Sequence, residues 1–279
     1  MVSTETTAER GSEPPAWDDA LLRNPHEVAD KRSRVQRMFA AIAPSYDLNN
    51  RLHSLWMDQR WRKEAVQRAE LRPTDRVVDV ACGTGDLTLL FADGLFMPDR
   101  SGRPLPHRAQ VIGVDFTYEM LPLARAKSLP GTQWPRDTER WPGLVEYVNG
   151  DAQSLPLGEE SADVVSVAFG IRNVADPAAA VREFYRVLRP GGRLIILEFS
   201  LPTNPVLRGL YNFYFRNVLP RTATLISGDK TGAYKYLPES VNTFIGREQM
   251  AGMMRDAGFG QVEQFPLTFG VCVCYRGVK

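Results

Sequence analysis

Histidine and cysteine are scarce in this chain, with three of each among 279 residues. His26, His53 and His107 keep no metal-ligand spacing with one another or with Cys82, Cys272 and Cys274, so no metal centre is expected. Three thiols cannot all pair, and Cys272 and Cys274 share one face of a strand-like run, so they read as reduced thiols of a cytosolic protein. A charge bias is missing too. Thirty-four basic against thirty-three acidic side chains leave a net charge of +1, which supplies no field to gather a polyanion, and nucleic acid is not expected as a partner. No apolar run is long enough to span a bilayer. Met1 to Pro15, rich in Thr, Glu and Ser, lacks the apolar core of a signal peptide, and residues 1–29 are expected to form a disordered tail. The remaining composition, 43% hydrophobic and 24% charged, suits one large α/β core.

What the chain does have is Val77 to Leu87, Val-Val-Asp-Val-Ala-Cys-Gly-Thr-Gly-Asp-Leu, an apolar run followed by two closely spaced glycines in strand-then-turn order. A β-carbon at Gly83 or Gly85 would obstruct a nucleotide-like ligand, and the next helix would aim free N–H groups at it. The dinucleotide fingerprint needs a third glycine, where this chain has Thr88, and that weakens an NAD or FAD reading. A glycine-rich turn shows the same G-x-G. The acid in the preceding strand, Asp79, makes the motif similar to that of S-adenosylmethionine (AdoMet) methyltransferases.

From Arg76 the chain alternates strand-like segments (76–81, 110–114, 144–149, 162–168, 192–199) with helix-like ones (85–93, 117–127, 177–188), which predicts a parallel sheet covered on both faces. A helix near 247–257 and a hairpin from 261–267 and 271–277 close the chain. Upstream, 30–50 reads as helix then turn, broken at Pro44, and 55–70 as a second helix whose Arg60, Arg62, Lys63 and Arg68 form a solvated basic face. Inserts at 98–107 and 130–142 read as surface loops. Residues 202–245, with Leu207, Leu210, Tyr211, Phe213, Phe215 and Leu219, are too apolar for a linker and predict a helical cap.

In a doubly wound sheet the ligand lies across the carboxyl ends of the strands. Gly83, Thr84 and Gly85 follow the first strand, where the Thr84 hydroxyl would join the backbone donors around the methionine end of AdoMet. Asp115 ends the second and would accept from the ribose hydroxyls; it stands thirty residues after Gly85, beyond the roughly 20 of a nucleotide fold, and the first insert accounts for the excess. Asp151 and Ala152 follow the third, facing adenine with a carboxylate and an N–H. Ala168 and Gly170 leave room beneath the sulfonium. Each acid singly could as well be a cap; their shared location at consecutive strand ends favours the site.

Val77–Leu87, Gly150–Pro156, Phe169-Gly170-Ile171-Arg172-Asn173, Val187–Leu194 and Leu197-Glu198-Phe199-Ser200 together closely resemble the UbiE/Coq5/MenG methyltransferases of quinone biosynthesis, as do Ser45-Tyr46-Asp47-Leu48-Asn49 and Tyr236-Leu237-Pro238-Glu239-Ser240. The resemblance runs from about Arg37 to Lys279 and departs at Gln59 and Tyr275, where members often carry His. It implies a class I, Rossmann-like methyltransferase domain over 30–279, with a seven-stranded, mostly parallel sheet whose last strand is antiparallel. Residues 30–70 and the cap 202–245 would contribute to the acceptor site. The implied reaction is AdoMet-dependent C-methylation of demethylmenaquinol, or of its ubiquinone-pathway counterpart. Arg172 would stabilise a ring phenolate, Asn173 and Tyr46 would orient the ring oxygens, and a water bridged to Arg172 or Tyr46 would take the proton. A different acceptor, or an AdoMet-binding scaffold in a quinone-synthesis assembly, is the alternative. The aromatic cap with the Trp56 and Trp61 helix would wall a prenyl tail, with Arg208, Arg216 and Arg221 at lipid headgroups. Expected partners are thus a polyprenylated quinol, a membrane surface and a second copy of the chain, and the expected location is cytoplasmic, peripheral at the inner face of the membrane.

Overall fold

The computed structural model describes residues 15–95, 110–129 and 144–279. The expected surface loops at 98–107 and 130–142, and residues 1–14 of the expected tail, lie outside the described residues.

Seven strands form one sheet in the order β3-β2-β1-β4-β5-β7-β6. They are β1 (Arg76–Val80), β2 (Gln110–Asp115), β3 (Val145–Asn149), β4 (Ala162–Ala168), β5 (Leu188–Phe199), β6 (Gly260–Leu267) and β7 (Cys272–Val278). The first five run parallel, β7 is antiparallel to β5, and β6 returns antiparallel to β7. β1 is buried on both faces because β-branched valines fill it, and period two divides them. Val78 and Val80 face a core completed by Phe184 of α6 (Pro177–Val187) and Met254 of α10 (Arg247–Asp256). Val77 faces the opposite core, with Trp61 and Phe91 from α3 (Met57–Arg68) and α4 (Asp86–Leu95). Cys272 and Cys274 both join this second core, as their spacing predicts, and all three cysteines are buried free thiols.

The N-terminal region differs from its sequence reading. Residues 15–29 are packed rather than loose: Trp17 is 2% exposed, stacks on Tyr236 at 4.5 Å between ring centroids, and donates its backbone N–H to the Thr231 carbonyl at 3.0 Å. A large apolar ring offers burial that the surrounding polar composition conceals. After α1 (Lys31–Ile42), Pro44 interrupts the helix as expected, but the chain re-enters a helix, α2 (Tyr46–Ser54), where a turn was expected. Leu55 and Trp56 then adopt left-handed conformations (φ 51° and 60°) that separate α2 from α3. The helix expected over 55–70 therefore begins at Met57.

The cap consists of α7 (Pro205–Phe213), a π-turn over Tyr214–Val218, α8 (Leu219–Ser227) and α9 (Ala233–Asn242); α5 (Met120–Lys127) completes the helices around the sheet. α7 starts where Asn204 accepts from the Val206 and Leu207 N–H groups and Pro205 fills the first position. Tyr211, Phe215 and Leu219 point into a core shared with α1. Leu210 and Phe213 remain exposed at 63% and 64%. Among the described residues no helix is long and apolar enough to cross a membrane.

Candidate functional site

The chain order reverses between β1 and β4, and a cleft of about 800 Å³ opens at their carboxyl ends. It is lined by Gly83 after β1, Asp115 at the end of β2, Asp151 and Ala152 after β3, and Ala168 and Gly170 from β4. Gly83 has a φ of +56°, and a β-carbon there would meet only the Tyr46 ring, at 3.9 Å, leaving bare backbone open to the cleft. Its N–H donates to Asp115 Oδ2 at 2.7 Å, while Asp115 Oδ1 accepts from the Thr117 N–H at 2.7 Å. Burial nevertheless pushes the Asp115 carboxyl up to about 6. Asp151 is paired with Arg32 at 2.8 Å, and Arg32 lies over the Phe116 ring at 4.4 Å, a lid that sequence spacing did not single out.

Thr84 and Gly85 do not line this cleft. The Thr84 hydroxyl donates to Asp47 at 2.6 Å and accepts from Lys127 at 2.9 Å, and Lys127 also pairs with Asp86 at 2.6 Å. The hydroxyl expected at the methionine end of a ligand is thus spent on joining α2, α4 and α5. Gly85 is glycine because its φ is +84° and a β-carbon would lie 2.5 Å from the Tyr147 hydroxyl oxygen, so the close approach there comes from the protein itself. Asp79 sits behind the loop, accepting from Thr88 at 2.6 Å and Ser166 at 2.7 Å; burial raises its carboxyl to about 6.

A second cavity, about 1200 Å³ and mostly apolar, lies under the cap, with Arg62, Arg172, Trp61, Phe215, Leu219 and Tyr236 in its wall. Phe39, Tyr46 and Phe169 line both spaces, so the two meet across these rings. Phe169 holds a φ of +57°, costly for a bulky residue, and leans on Phe199 at 4.7 Å between centroids. Gly170 lets this turn form: a β-carbon there would come within 2.5 Å of the Ala81 β-carbon.

The catalytic residues expected from sequence stand on either side of this partition. Arg172 is 4% exposed, donates to Glu198 at 2.6 Å and to the Phe169 carbonyl at 2.8 Å, and reaches Ser240 at 3.3 Å. Burial disfavours its charge, but Glu198 outweighs burial and holds the guanidinium above its ordinary range. It stays charged, and that charge is balanced. Asn173 faces the cleft, donates to the Phe169 carbonyl at 3.3 Å and accepts from the Tyr236 hydroxyl at 2.9 Å. Desolvation raises the Tyr46 phenol, against the opposing fields of Arg62 and Arg172, so it remains protonated at neutral pH.

The ubiE/COQ5 methyltransferase family model matches residues 27–279. The chain belongs to the ubiE/COQ5 methyltransferase family. It is 44% identical over 242 residues to the ubiquinone/menaquinone biosynthesis C-methyltransferase UbiE of Syntrophotalea carbinolica, covering 87% of this chain and 92% of the relative. It is 41% identical over 250 residues to the demethylmenaquinone methyltransferase of Deinococcus radiodurans, covering 90% and 94%. A SAM-dependent methyltransferase structure from Thermotoga maritima aligns with a TM-score of 0.52 at 21% identity over 87% of this chain and 99% of the other. The fold is that of AdoMet-dependent methyltransferases, and AdoMet is the methyl donor of the family's reaction.

Several residues around the two spaces were not legible as such. Glu198 lay inside a recognised motif without an assigned partner. Arg62, read as part of a solvated face, is 8% exposed, and its guanidinium carbon lies 5.2 Å from the Phe169 ring centroid. Trp56, expected to wall the acceptor space, is 57% exposed, whereas Trp61 does line it and donates to Thr268 at 2.8 Å. Gln59, where members often have His, donates to Asp58 at 2.9 Å and Asp86 at 3.1 Å.

The buried Asp79 gives a stability test. Its folded pKa of about 6 exceeds the ordinary carboxyl value, so the fold holds the protonated form, and the stability it contributes is full below about pH 4 and lost as pH rises to about 6. Relative to Asp79→Asn, the wild type should lose about 3 kcal/mol across that window. Urea unfolding of both proteins at intervals from pH 4 to 7 reads the difference; a difference that does not change with pH would contradict the assignment.

Proposed function

We propose that the chain transfers the methyl group of AdoMet to the unsubstituted ring carbon of demethylmenaquinol, giving menaquinol. The observation that carries this reading is the meeting of a polar cleft and an apolar cavity at Tyr46, Phe39 and Phe169. In the cleft, the open backbone at Gly83 and the carboxylate of Asp115 fit a nucleoside bearing an amino acid. Asp115 would exchange its bonds for ribose hydroxyls, Asp151 would turn from Arg32 to the adenine amino group with Ala152 offering its N–H, and Ala168 would keep the floor low. The cavity under the cap, walled by Trp61, Phe215 and Leu219, suits a bicyclic ring with a prenyl tail.

When bound, AdoMet supplies an electrophilic methyl whose bonding pair leaves with sulfur as the ring carbon bonds to it. The chain's own task is to place that carbon in line and to keep a neighbouring ring oxygen ionised, so positioning and field supply most of the rate. Arg172, neutralised by Glu198, fixes the Phe169 carbonyl and with it the partition. Asn173, oriented by Tyr236, and the protonated Tyr46 offer hydrogen bonds at the boundary. Neither Arg172 nor Tyr46 is poised to remove a proton, so the ring hydroxyl proton passes to water before transfer; afterwards the ring C–H proton leaves to water as the oxygen takes one proton back, and one proton is released overall.

The test is transfer of labelled methyl from AdoMet to reduced demethylmenaquinone, with the product resolved by mass spectrometry. A carbon-bound methyl is expected; no transfer to this acceptor, with transfer to a methoxybenzoquinol instead, would move the reading to the ubiquinone-pathway substrate.

The same reading extends to a lipid surface. Leu55 lines the second cavity while 77% exposed, and Leu210, Phe213, Leu225 and Ile226 of the cap are exposed nearby, with α2 tied to α8 by a 3.0 Å bond between His53 and Thr222. Arg208 and Arg221 are exposed beside them. We propose that this face rests on the membrane that holds the quinol. Sedimentation with anionic vesicles should retain the wild type and release Phe213→Asp/Leu225→Asp; equal retention of both would contradict the contact.

A further inference from the structure

Two guanidinium groups line the cavity under the cap, and they differ in how far their charge is already spent. Arg172 makes two short bonds, to Glu198 and to the Phe169 carbonyl, and a longer one to Ser240. Arg62, eight-hundredths exposed and on the wall of the same cavity, makes an ion pair with Asp58 at 3.8 Å, too long for a hydrogen bond, and its buried Nε has no hydrogen-bond partner. Asp58 is meanwhile occupied by the Ser54 hydroxyl at 2.7 Å and the Gln59 amide at 2.9 Å. The Arg62 guanidinium lies against the face of Phe169, the ring that divides acceptor space from donor cleft. A buried donor left unpaired is costly, and such a group is explained by an acceptor that arrives with the ligand.

We propose that Arg62 receives the ring oxyanion of the methyl acceptor, making it a substrate-binding catalytic residue, while Arg172 is a positioning residue that holds the partition. The inference rests on the aromatic-hydroxyl acceptor of the preceding section. Before transfer the ring O–H proton goes to water, and the oxygen's charge settles on Arg62; its electron density then reaches the adjacent ring carbon that bonds to the methyl. The charged and titratable groups around this position are Asp58 on the same helix, Tyr46 on α2, Asp79 on β1, Asp86 on α4 and Cys272 on β7, which all feel the Arg62 field, together with His53, Tyr234, Tyr236 and the balanced Arg172–Glu198 pair around the cavity. Burial lowers His53 and raises Tyr46, Tyr234 and Tyr236, so all four are neutral at pH 7. Of the two cavity guanidiniums, the one with a buried donor left without a hydrogen bond is Arg62.

A naphthol with one quinol oxygen blocked as an ether, 4-methoxy-1-naphthol kept under anaerobic conditions, reports this directly, because its anion absorbs at longer wavelength than the neutral form. Bound to the wild type together with S-adenosylhomocysteine, it should ionise at a pH below that of the free naphthol. Arg62→Met should raise the bound pKa by about one unit or more, the size expected when an opposite charge is withdrawn from contact. Arg62→Lys should restore part of the shift, and S-adenosylhomocysteine affinity should stay within a few-fold of wild type. Asp58→Asn, which removes the competing carboxylate, should move the pKa down, whereas a merely structural role would not reverse the sign between the two variants. An unmoved pKa in Arg62→Met, an upward shift in Asp58→Asn, a larger shift in Arg172→Lys than in Arg62→Met, or no naphthol binding by the wild type would each overturn the inference. Methyl transfer to demethylmenaquinol by the same wild-type preparation separates the two readings: a lowered naphthol pKa without that transfer supports Arg62 and sinks only the quinol assignment.

Discussion

The buried ion pair between Arg172 and Glu198 is the contact on which the rest of the site hangs. Glu198 comes from the end of β5 and Arg172 from the turn after β4, so the pair fixes the geometry of the sheet's carboxyl edge. Its bonds then spread outward. Arg172 meets Ser240 of α9, whose carbonyl is bonded to His26 at 2.8 Å, and Lys31 of α1 donates to the Arg172 and Val174 carbonyls at 2.9 and 2.6 Å. Cap, N-terminal strap and first helix are thus anchored on one charged centre. Removing one partner would strand the other charge in the interior, a loss of about 3–5 kcal/mol, so the pair constrains position more than it adds stability.

That anchorage makes the partition possible. Phe169 keeps its left-handed backbone because its carbonyl accepts from both Arg172 and Asn173, and because Gly170 yields to Ala81. With Tyr46 and Phe39 it separates a cleft of carboxylates and bare backbone from a cavity of aromatic and aliphatic walls. A charged, water-loving donor and a greasy acceptor need different solvents. On the proposed reading the partition would supply both environments and let them touch where a methyl group would cross.

Much of this was legible in the chain. Period-two valines and the spacing of Gly83, Asp115, Asp151, Ala152 and Ala168 encode strands and the residues that follow them, and the topology brings those residues together at one edge. Long-range pairings were not legible. Nothing local tells that Thr84 gives its hydroxyl to Asp47, that Glu198 neutralises Arg172, or that Trp17 in a polar N-terminal stretch stacks on Tyr236. Arg62 was the hardest to read, because a basic residue four positions after Asp58 on a charged helix has the pattern of a surface pair. Only the fold, by packing α3 against α2, α4, β5 and β7, turns that face inward.

A crystal structure of the protein with S-adenosylhomocysteine and 4-methoxy-1-naphthol bound together tests the two-chamber account most directly. The account places the adenosyl group in the cleft beside Asp115 and Asp151, the naphthol ring under the cap, and the sulfur and the ring facing each other past Phe169 and Tyr46. Both ligands on one side of Phe169, or the naphthol bound outside the cap, would contradict it.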